Sequence, residues 1–373
     1  MRTTIVPAKF STGIRRFLKG LSRKSWRKNA AAYIFGLIIL VRFRSIAEIA
    51  RCTSGGDVDT AHHFLHDSPW SPSILQEMMQ KELAVRFSGK KLKLIIDDTP
   101  VKRKGKHIEG LGVHHGPDGL AKGLCAVTSV IRIGKRTFAW AAVGYRPKKS
   151  SPPGEFKTKI EIAHDILKSA YTLGKDVTVL FDSWYSCETL LNYISENSWR
   201  YVAAIKSNRV IYIGNRKHRA SNLAKGPRKY RRIRLSKKRV VYAAKCIASL
   251  QGIGNVAVFI TKIGGKTKFL ISNDLALSEE EAVRLYAERF SIETFHRDIK
   301  QHLGFGELWM RSWQGVQKHW TLCITAFNFL NDWNAALPAR CRGKTFGQII
   351  REFRVRLKPL KSNKFLARRS VKD

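Results

Sequence analysis

Asp97, Asp182 and Glu293 are carboxylates in settings that could do chemistry. Asp97 and its neighbour Asp98 close one apolar run, Leu92 to Ile96, and Asp182 closes another, Val177 to Phe181. The chain carries 69 Lys and Arg against 28 Asp and Glu, a formal net charge of +41, so acidic residues at such places need explaining. Carboxylates that converge suit a hard divalent cation, which takes oxygen ligands. Metal held in this way can activate an attacking oxygen and stabilise a leaving one in phosphodiester chemistry. A single Asp after a strand is more often a turn former or a helix N-cap. Two of them after adjacent-looking strands, with a third carboxylate downstream, point to more than that.

The elements that must position these residues can be read from the pattern. Residues 1 to about 85 read as helical, with a basic start and an apolar stretch from Ala30 to Val41. That stretch is too short to span a bilayer and reads as a buried helix. Ser45 to Leu65 has the form of a helix-turn-helix, with a turn at Gly55-Gly56 and a second helix capped by Asp57. Strands follow at Leu92 to Ile96, Gly123 to Ile133 and Arg136 to Gly144, then a helix from Glu155 to Thr172 and a strand from Val177 to Phe181. This order places both aspartates at strand C-terminal ends. Residues 200 to about 273 read as β-rich and very basic. Ser278 to Gly304 reads as one strong helix with a Ser278–Glu281 capping box, and Ser312 to about Ala336 as the last helical region. From Arg340 a basic tail reads as loosely held.

At about 100° per residue, Tyr286, Arg289, Glu293 and Lys300 share one face of the long helix, with Leu285, Ile292 and Ile299 as an apolar stripe beside it. Read by itself, the Arg289–Glu293 pair at i, i+4 could equally be exposed helix support. The segment YAERFSIETFHRDIK, however, resembles the Tyr-Arg-Glu-Lys signature of the DDE transposases of bacterial insertion sequences, the cut-and-paste group, and all four positions and spacings match. LIIDDTPVKRKG and VLFDSWYS resemble the blocks that carry that family's two aspartates, and FKTKIEIAHDIL resembles its linking helix. The resemblance covers about residues 30 to 335.

The resemblance implies an α/β chain with an RNase H-like catalytic core at 89–335, interrupted by a β-rich insertion at about 200–273. The pattern itself adds a helical, DNA-binding N-terminal domain at 1–88 and a basic tail at 336–373. The resemblance implies that Asp97, Asp182 and Glu293 hold Mg²⁺, with Mn²⁺ able to substitute. Tyr286, Arg289 and Lys300 would contact DNA; Lys102, Arg103, Lys104 and Lys106, a basic run just after the first Asp, read from their own charge as facing phosphate. Strand alternation puts Asp97 and Asp98 on opposite faces, and periodicity does not choose between them. The family's Asp-x-Thr block favours Asp97, leaving Asp98 to cap the following turn or orient Lys102. The expected partners are double-stranded DNA, as transposon ends and target, and a second copy of the chain in the DNA complex. The expected setting is the bacterial cytoplasm, associated with the nucleoid and not a membrane. Some relatives stack a flipped base on a Trp of the insertion. This chain has no Trp between Trp199 and Trp309, leaving Tyr201, Tyr212, Tyr230 and Tyr242 as the aromatic candidates.

Composition narrows the alternatives. So large a positive charge calls for a polyanion, and nucleic acid fits better than a membrane surface because no amphipathic anchor stands out. Six dispersed cysteines form no CxxC pair, so neither a zinc site nor a disulfide framework is expected. His62, His63, His66, His107, His114 and His115 lack carboxylate or Cys partners at ligand spacing. His296, three residues past Glu293, could touch DNA or the site, though a surface histidine is the more ordinary reading. A catalytically silent DNA-binding descendant and an RNase H-like nuclease or resolvase are the competing functions.

Overall fold

The structure is a computed structural model that describes residues 8–42, 44–53, 57–105, 107–116, 119–307 and 310–356. Five helices come first: α1 (Ala8–Ile14), α2 (Lys24–Ile39), α3 (Ile46–Thr53), α4 (Val58–His66) and α5 (Pro72–Arg86). Strands β1 (Leu92–Lys102), β2 (Gly112–Gly116), β3 (Gly119–Ile133) and β4 (Arg136–Tyr145) lead to α6 (Lys159–Ser169), β5 (Val177–Phe181), α7 (Glu188–Glu196) and β6 (Arg200–Ile205). Next come β7 (Val210–Ile213), β8 (Arg216–Arg219), β9 (Arg231–Ser236), β10 (Arg239–Leu250), β11 (Gly254–Ile263) and β12 (Lys266–Ser272). The chain then returns to helix with α8 (Glu279–Glu288), α9 (Phe290–Leu303), α10 (Trp313–Ala336) and α11 (Phe346–Arg356). Contacts divide the chain into two compact units, Met79–His296 and a second formed by Met1–Met78 with Arg297–Asp373.

The Met79–His296 unit is built on one large mixed sheet. Its order is β2-β3-β1-β5-β6-β12-β11-β10-β7-β8, with β4 on β3 and β9 on β10. β1, β5 and β6 run parallel, and the other pairings are antiparallel. A mixed α/β architecture with a large mixed sheet is therefore present, as the fold class requires. Val177 to Phe181 is buried along its whole length, which explains its continuous apolar run: a parallel strand covered on both faces has no polar side. α6 packs on β3 and β4, with Ile162, Ala163, Ile166 and Leu167 inward.

Several local readings change. β1 does not stop at Asp97 but runs through to Lys102, because β3 pairs with it from Lys93 to Lys102. Its parallel pairing with β5 ends at Ile95. Asp97 and Asp98 thus lie inside a strand that has just lost one neighbour, not at its end. Pro100, which has no N–H to give, is tolerated on that opened stretch. The helix expected from Glu155 begins at Lys159, because Thr158 caps it in a capping box with Glu161. The expected single helix from Ser278 is two, interrupted at Arg289, although its Ser278–Glu281 capping box is present. β2 and α7 were not legible in the pattern.

The other unit is helical. Ala30 to Ile38 of α2 are buried on all sides, as befits an apolar run inside a protein. Among the described residues no helix is long and apolar enough to cross a membrane. Asp57 caps α4 by accepting from the Thr60 N–H at 3.1 Å, while the Gly55-Gly56 turn lies outside the described residues. Where a loose tail was expected, α11 buries Phe346, Ile349, Ile350 and Phe353. Arg44 is the largest buried cation of this unit, with a side chain 2% exposed. Its Nη1 meets Glu307 Oε1 at 2.5 Å, and it donates further to the carbonyls of Leu37, Val41 and His302.

Glu307→Ala should cost about 3 kcal/mol, because it leaves the Arg44 guanidinium buried without a counter-charge. Glu307→Gln, which keeps an acceptor oxygen, should cost less. Hydrogen exchange of α10 amides checks this, since local opening there should become easier in the same order.

Candidate active site

The end of the parallel ladder gathers the site. Past Ile95 and Leu180, β1 and β5 no longer pair, and the crevice outside the C-terminal ends of parallel strands is where open α/β sheets place ligands. Asp97 stands there on β1, opposite Thr128 of β3. Asp182 follows β5 directly, and its Oδ1 accepts from the Trp184 N–H at 2.9 Å. Glu293 comes from the first turn of α9.

Arg289 joins two of them. Its Nη1 donates to Asp97 Oδ2 at 3.0 Å, and its Nη2 forms an ion pair with Glu293 Oε1. The break between α8 and α9 falls at this residue, although its backbone angles stay helical and the Arg289–Glu293 pair of the expected face is kept. Tyr286 stays close all the same, with the Arg289 guanidinium 5.9 Å from its ring centroid. Lys300 lies two turns along α9 from Glu293, is half-buried and belongs with the helical unit.

Electrostatics bind the group together. Burial pushes the Asp97 carboxyl up to about 7, Arg289 opposes the rise, and Asp182 and Asp98 add to it. Burial works against the Arg289 charge, but Tyr286, Asp97, Glu293 and Asp182 outweigh it and raise its pKa. Burial also raises Tyr286, with Arg289 pulling the other way. Asp97, Asp182 and Glu293 therefore act on a common set of neighbours. Among the described residues, however, no three His, Cys, Asp or Glu side chains close on one point as a finished metal cage would.

Asp98 faces a different cluster from Asp97, as strand alternation requires. Its Oδ2 lies 2.5 Å from Lys159 Nζ and accepts from Cys125 Sγ at 3.3 Å, while Tyr185 OH reaches Oδ1 at 3.4 Å. The carboxylate is thus held by Lys159 at the start of α6, not spent on the turn or on Lys102 as expected. Burial and Asp98 push the Cys125 thiol up to about 12, so it is no nucleophile at neutral pH. Lys159, Cys125 and Tyr185 went unread in the sequence. Lys159 and Tyr185 do stand inside the quoted blocks FKTKIEIAHDIL and VLFDSWYS, which was the available signal.

His296 is buried, not a surface residue. Its Nε2 meets Thr128 Oγ1 at 2.6 Å, and Thr128 Oγ1 also donates to the Asp97 carbonyl at 3.2 Å. The helix of Glu293 is in this way tied to the strand of Asp97. Lys102 is exposed at the end of β1, and Arg103 is partly buried, with its Nε lacking a hydrogen-bond partner among the described residues. Lys106 lies outside the described residues. A cavity of about 580 Å³ at the other end of the ladder, between Lys93, Lys175 and Arg200, contains none of the candidate residues.

The pattern of the family described as DDE superfamily endonuclease matches residues 16–251, and the chain belongs to that family. The matched span contains Asp97 and Asp182 and stops before Glu293. The chain is also 30% identical over 195 residues to a protein of Microchaete diplosiphon named as a probable transposase for insertion sequence element IS701. That match takes in 49% of this chain and 50% of the relative, so it spans about half the relative's length. DDE endonuclease domains depend on divalent metal.

The raised Asp97 pKa has a consequence for stability. Its folded value is about 7 against an ordinary 3.8, so folding favours the protonated form. That stabilisation is complete below the ordinary value and lost as pH rises through the folded one. Thermal unfolding in EDTA should show stability falling across this window, and Asp97→Asn should flatten the fall. An unchanged pH profile in that variant would place the titration elsewhere.

Proposed function

We propose that the chain is a DNA transposase that cleaves transposon ends and joins them to target DNA, with Asp97, Asp182 and Glu293 as its metal-holding carboxylates. The observation that carries this reading is the bracketing of the Arg289 cation by Asp97 and Glu293, with Asp182 close enough to raise the Asp97 pKa. Negative charge in excess of what one guanidinium offsets is a setting that an added cation relieves. Hard carboxylate donors without Cys or His suit Mg²⁺, with Mn²⁺ as a substitute. Bound there, such metal would supply activation of the attacking oxygen and stabilisation of the leaving one.

The chain's own residues do the rest. Asp98, held by Lys159, Cys125 and Tyr185, fixes the stretch of β1 that presents Asp97. His296 and Thr128 fix α9 against the same strand. Tyr286, Arg289 and Lys300, with Lys102 and Arg103, contact DNA backbone. Arg289 would then exchange its carboxylate partners for phosphate as DNA arrives. An RNase H-like core at 89–335 with a β-rich insertion at about 200–273, a DNA-binding helical domain at 1–88 and a basic C-terminal segment at 336–373 that includes the packed α11 complete the reading. So do a homodimer on DNA and association with the bacterial nucleoid in the cytoplasm.

Asp182→Ala should abolish cleavage with Mg²⁺ or Mn²⁺ and leave binding of transposon-end DNA within a few-fold. Asp97→Asn should eliminate cleavage and strand transfer, while Asp98→Asn, which loosens only the support, should lower them. Cleavage that survives in EDTA or in Asp182→Ala would refute the reading. Cleavage without strand transfer in the wild type would make the protein a nuclease instead.

A further inference from the structure

Between Glu196 and Asp274 the sequence contains no carboxylate side chain, yet it contains nineteen Lys and Arg. Some of these cations are used internally. Arg200 pairs with Asp274 at 3.3 Å and Arg231 with Glu280 at 3.1 Å. Lys245 donates to the Leu275 carbonyl and Arg228 to that of Leu223.

Others stand in a row on one sheet face. On β9, Arg232 is directly opposite Tyr242 of β10, and Arg234 is opposite Val240. Tyr242 is in turn opposite Lys262 of β11, and Lys262 opposite Thr267 of β12. Residues paired in this way share a face, so Arg232, Tyr242, Lys262 and Thr267 cross four strands side by side. The alternate residues Ile233, Val241 and Ala243 form a buried cluster with Val283 of α8, which fixes the row on the face away from α8. Tyr242 is 46% exposed. Lys262 lies 4.3 Å over the ring of Tyr230. The Arg232 and Arg234 side chains have no ion-pair or hydrogen-bond partner among the described residues.

We propose that this face, centred on Arg232, Arg234, Tyr242 and Lys262, is a docking surface for the phosphate backbone of duplex DNA, independent of base sequence. Guanidinium, ammonium and phenol hydroxyl are the groups that donate to phosphate oxygens. The row offers them on a rigid sheet and includes no carboxylate that would repel the backbone. Arg232 and Arg234, two apart on β9 and so on one face, repel one another, and a polyanion laid across them offsets that repulsion. The surface is separate from the carboxylates of the candidate active site, and it would hold DNA that the site does not read. The inference rests on the reading of the chain as a DNA-acting enzyme.

The test is binding of a fluorescent duplex of random sequence to the full chain in EDTA, across a salt series. Each phosphate contact contributes about 0.9 to the slope of log affinity against log salt, so Arg232→Ala with Arg234→Ala should lower it by about two. Lys135→Ala with Arg136→Ala, an equal loss of charge at the β3–β4 turn, should change it less. A photo-crosslinking side chain in place of Tyr242 should attach to the duplex. An unchanged slope, a fall no greater than in the charge-matched variant, or no crosslink at position 242 would overturn the proposal. Because this assay needs no metal, a chain that binds through this face but does not cut would sink the enzymatic reading alone. A chain that cuts with an unaltered slope would sink this surface alone.

Discussion

The fork of Arg289 between Asp97 and Glu293 is the contact on which the candidate site depends. One carboxylate comes from the sheet and the other from a helix 196 positions later in sequence. Without a cation between them they would repel, the more so with Asp182 nearby and little water to screen it. The guanidinium is suited to the task because it is planar, always charged and can reach two carboxylates at once. The break between α8 and α9 occurs at this residue, where the backbone tightens to three-residue hydrogen bonds, Arg289 N–H to the Tyr286 carbonyl and Ile292 N–H to the Arg289 carbonyl, each at 3.1 Å.

That contact is possible because the ladder opens where it does. β1 has two neighbours up to Ile95 and one after it, so its backbone continues in register with β3 while its other edge faces the crevice. Asp97 and Asp98 then point to opposite faces. Arg289 holds the first and Lys159 the second, each across a different layer of the fold. Two adjacent, largely shielded carboxylates on one strand, each under a fifth exposed, are costly unless each has its own cation. A single charge change at either cation should therefore disturb the strand as well as the chemistry.

Much of this was legible in the residues. Buried parallel strands announce themselves as continuous apolar runs, which is why β5 and the first half of β1 were found within a residue. The Tyr-Arg-Glu-Lys spacing was visible because it is local. The extension of β1 past Asp97 was not, since it is imposed by pairing with β3 and the local sequence, with two aspartates and a proline, reads as a turn. The interruption at Arg289 was hidden because nothing in FSIETFHRDIK or the preceding turn lacks helix propensity. Lys159, Cys125 and Tyr185 meet Asp98 only through the tertiary fold, and His296 looked like a surface residue because its partner, Thr128, is 168 positions away.

The distribution of charge follows the same logic at larger scale. Glu279, Glu280 and Glu281 open α8, the helix that covers one face of the β9–β11 region. Glu280 pairs with both Arg231 and Arg284 there, so the cations on and beside that face are met by carboxylates within the unit. On the opposite face, among the described residues, no carboxylate pairs with Arg232, Arg234 or Lys262, and the strands that build it carry no acidic residue. A sheet with one compensated and one uncompensated face is neutralised by its own fold on the first. On the second, only solvent ions or an external polyanion can do so, and the +41 excess of the whole chain sets the preference for the polyanion through counterion release.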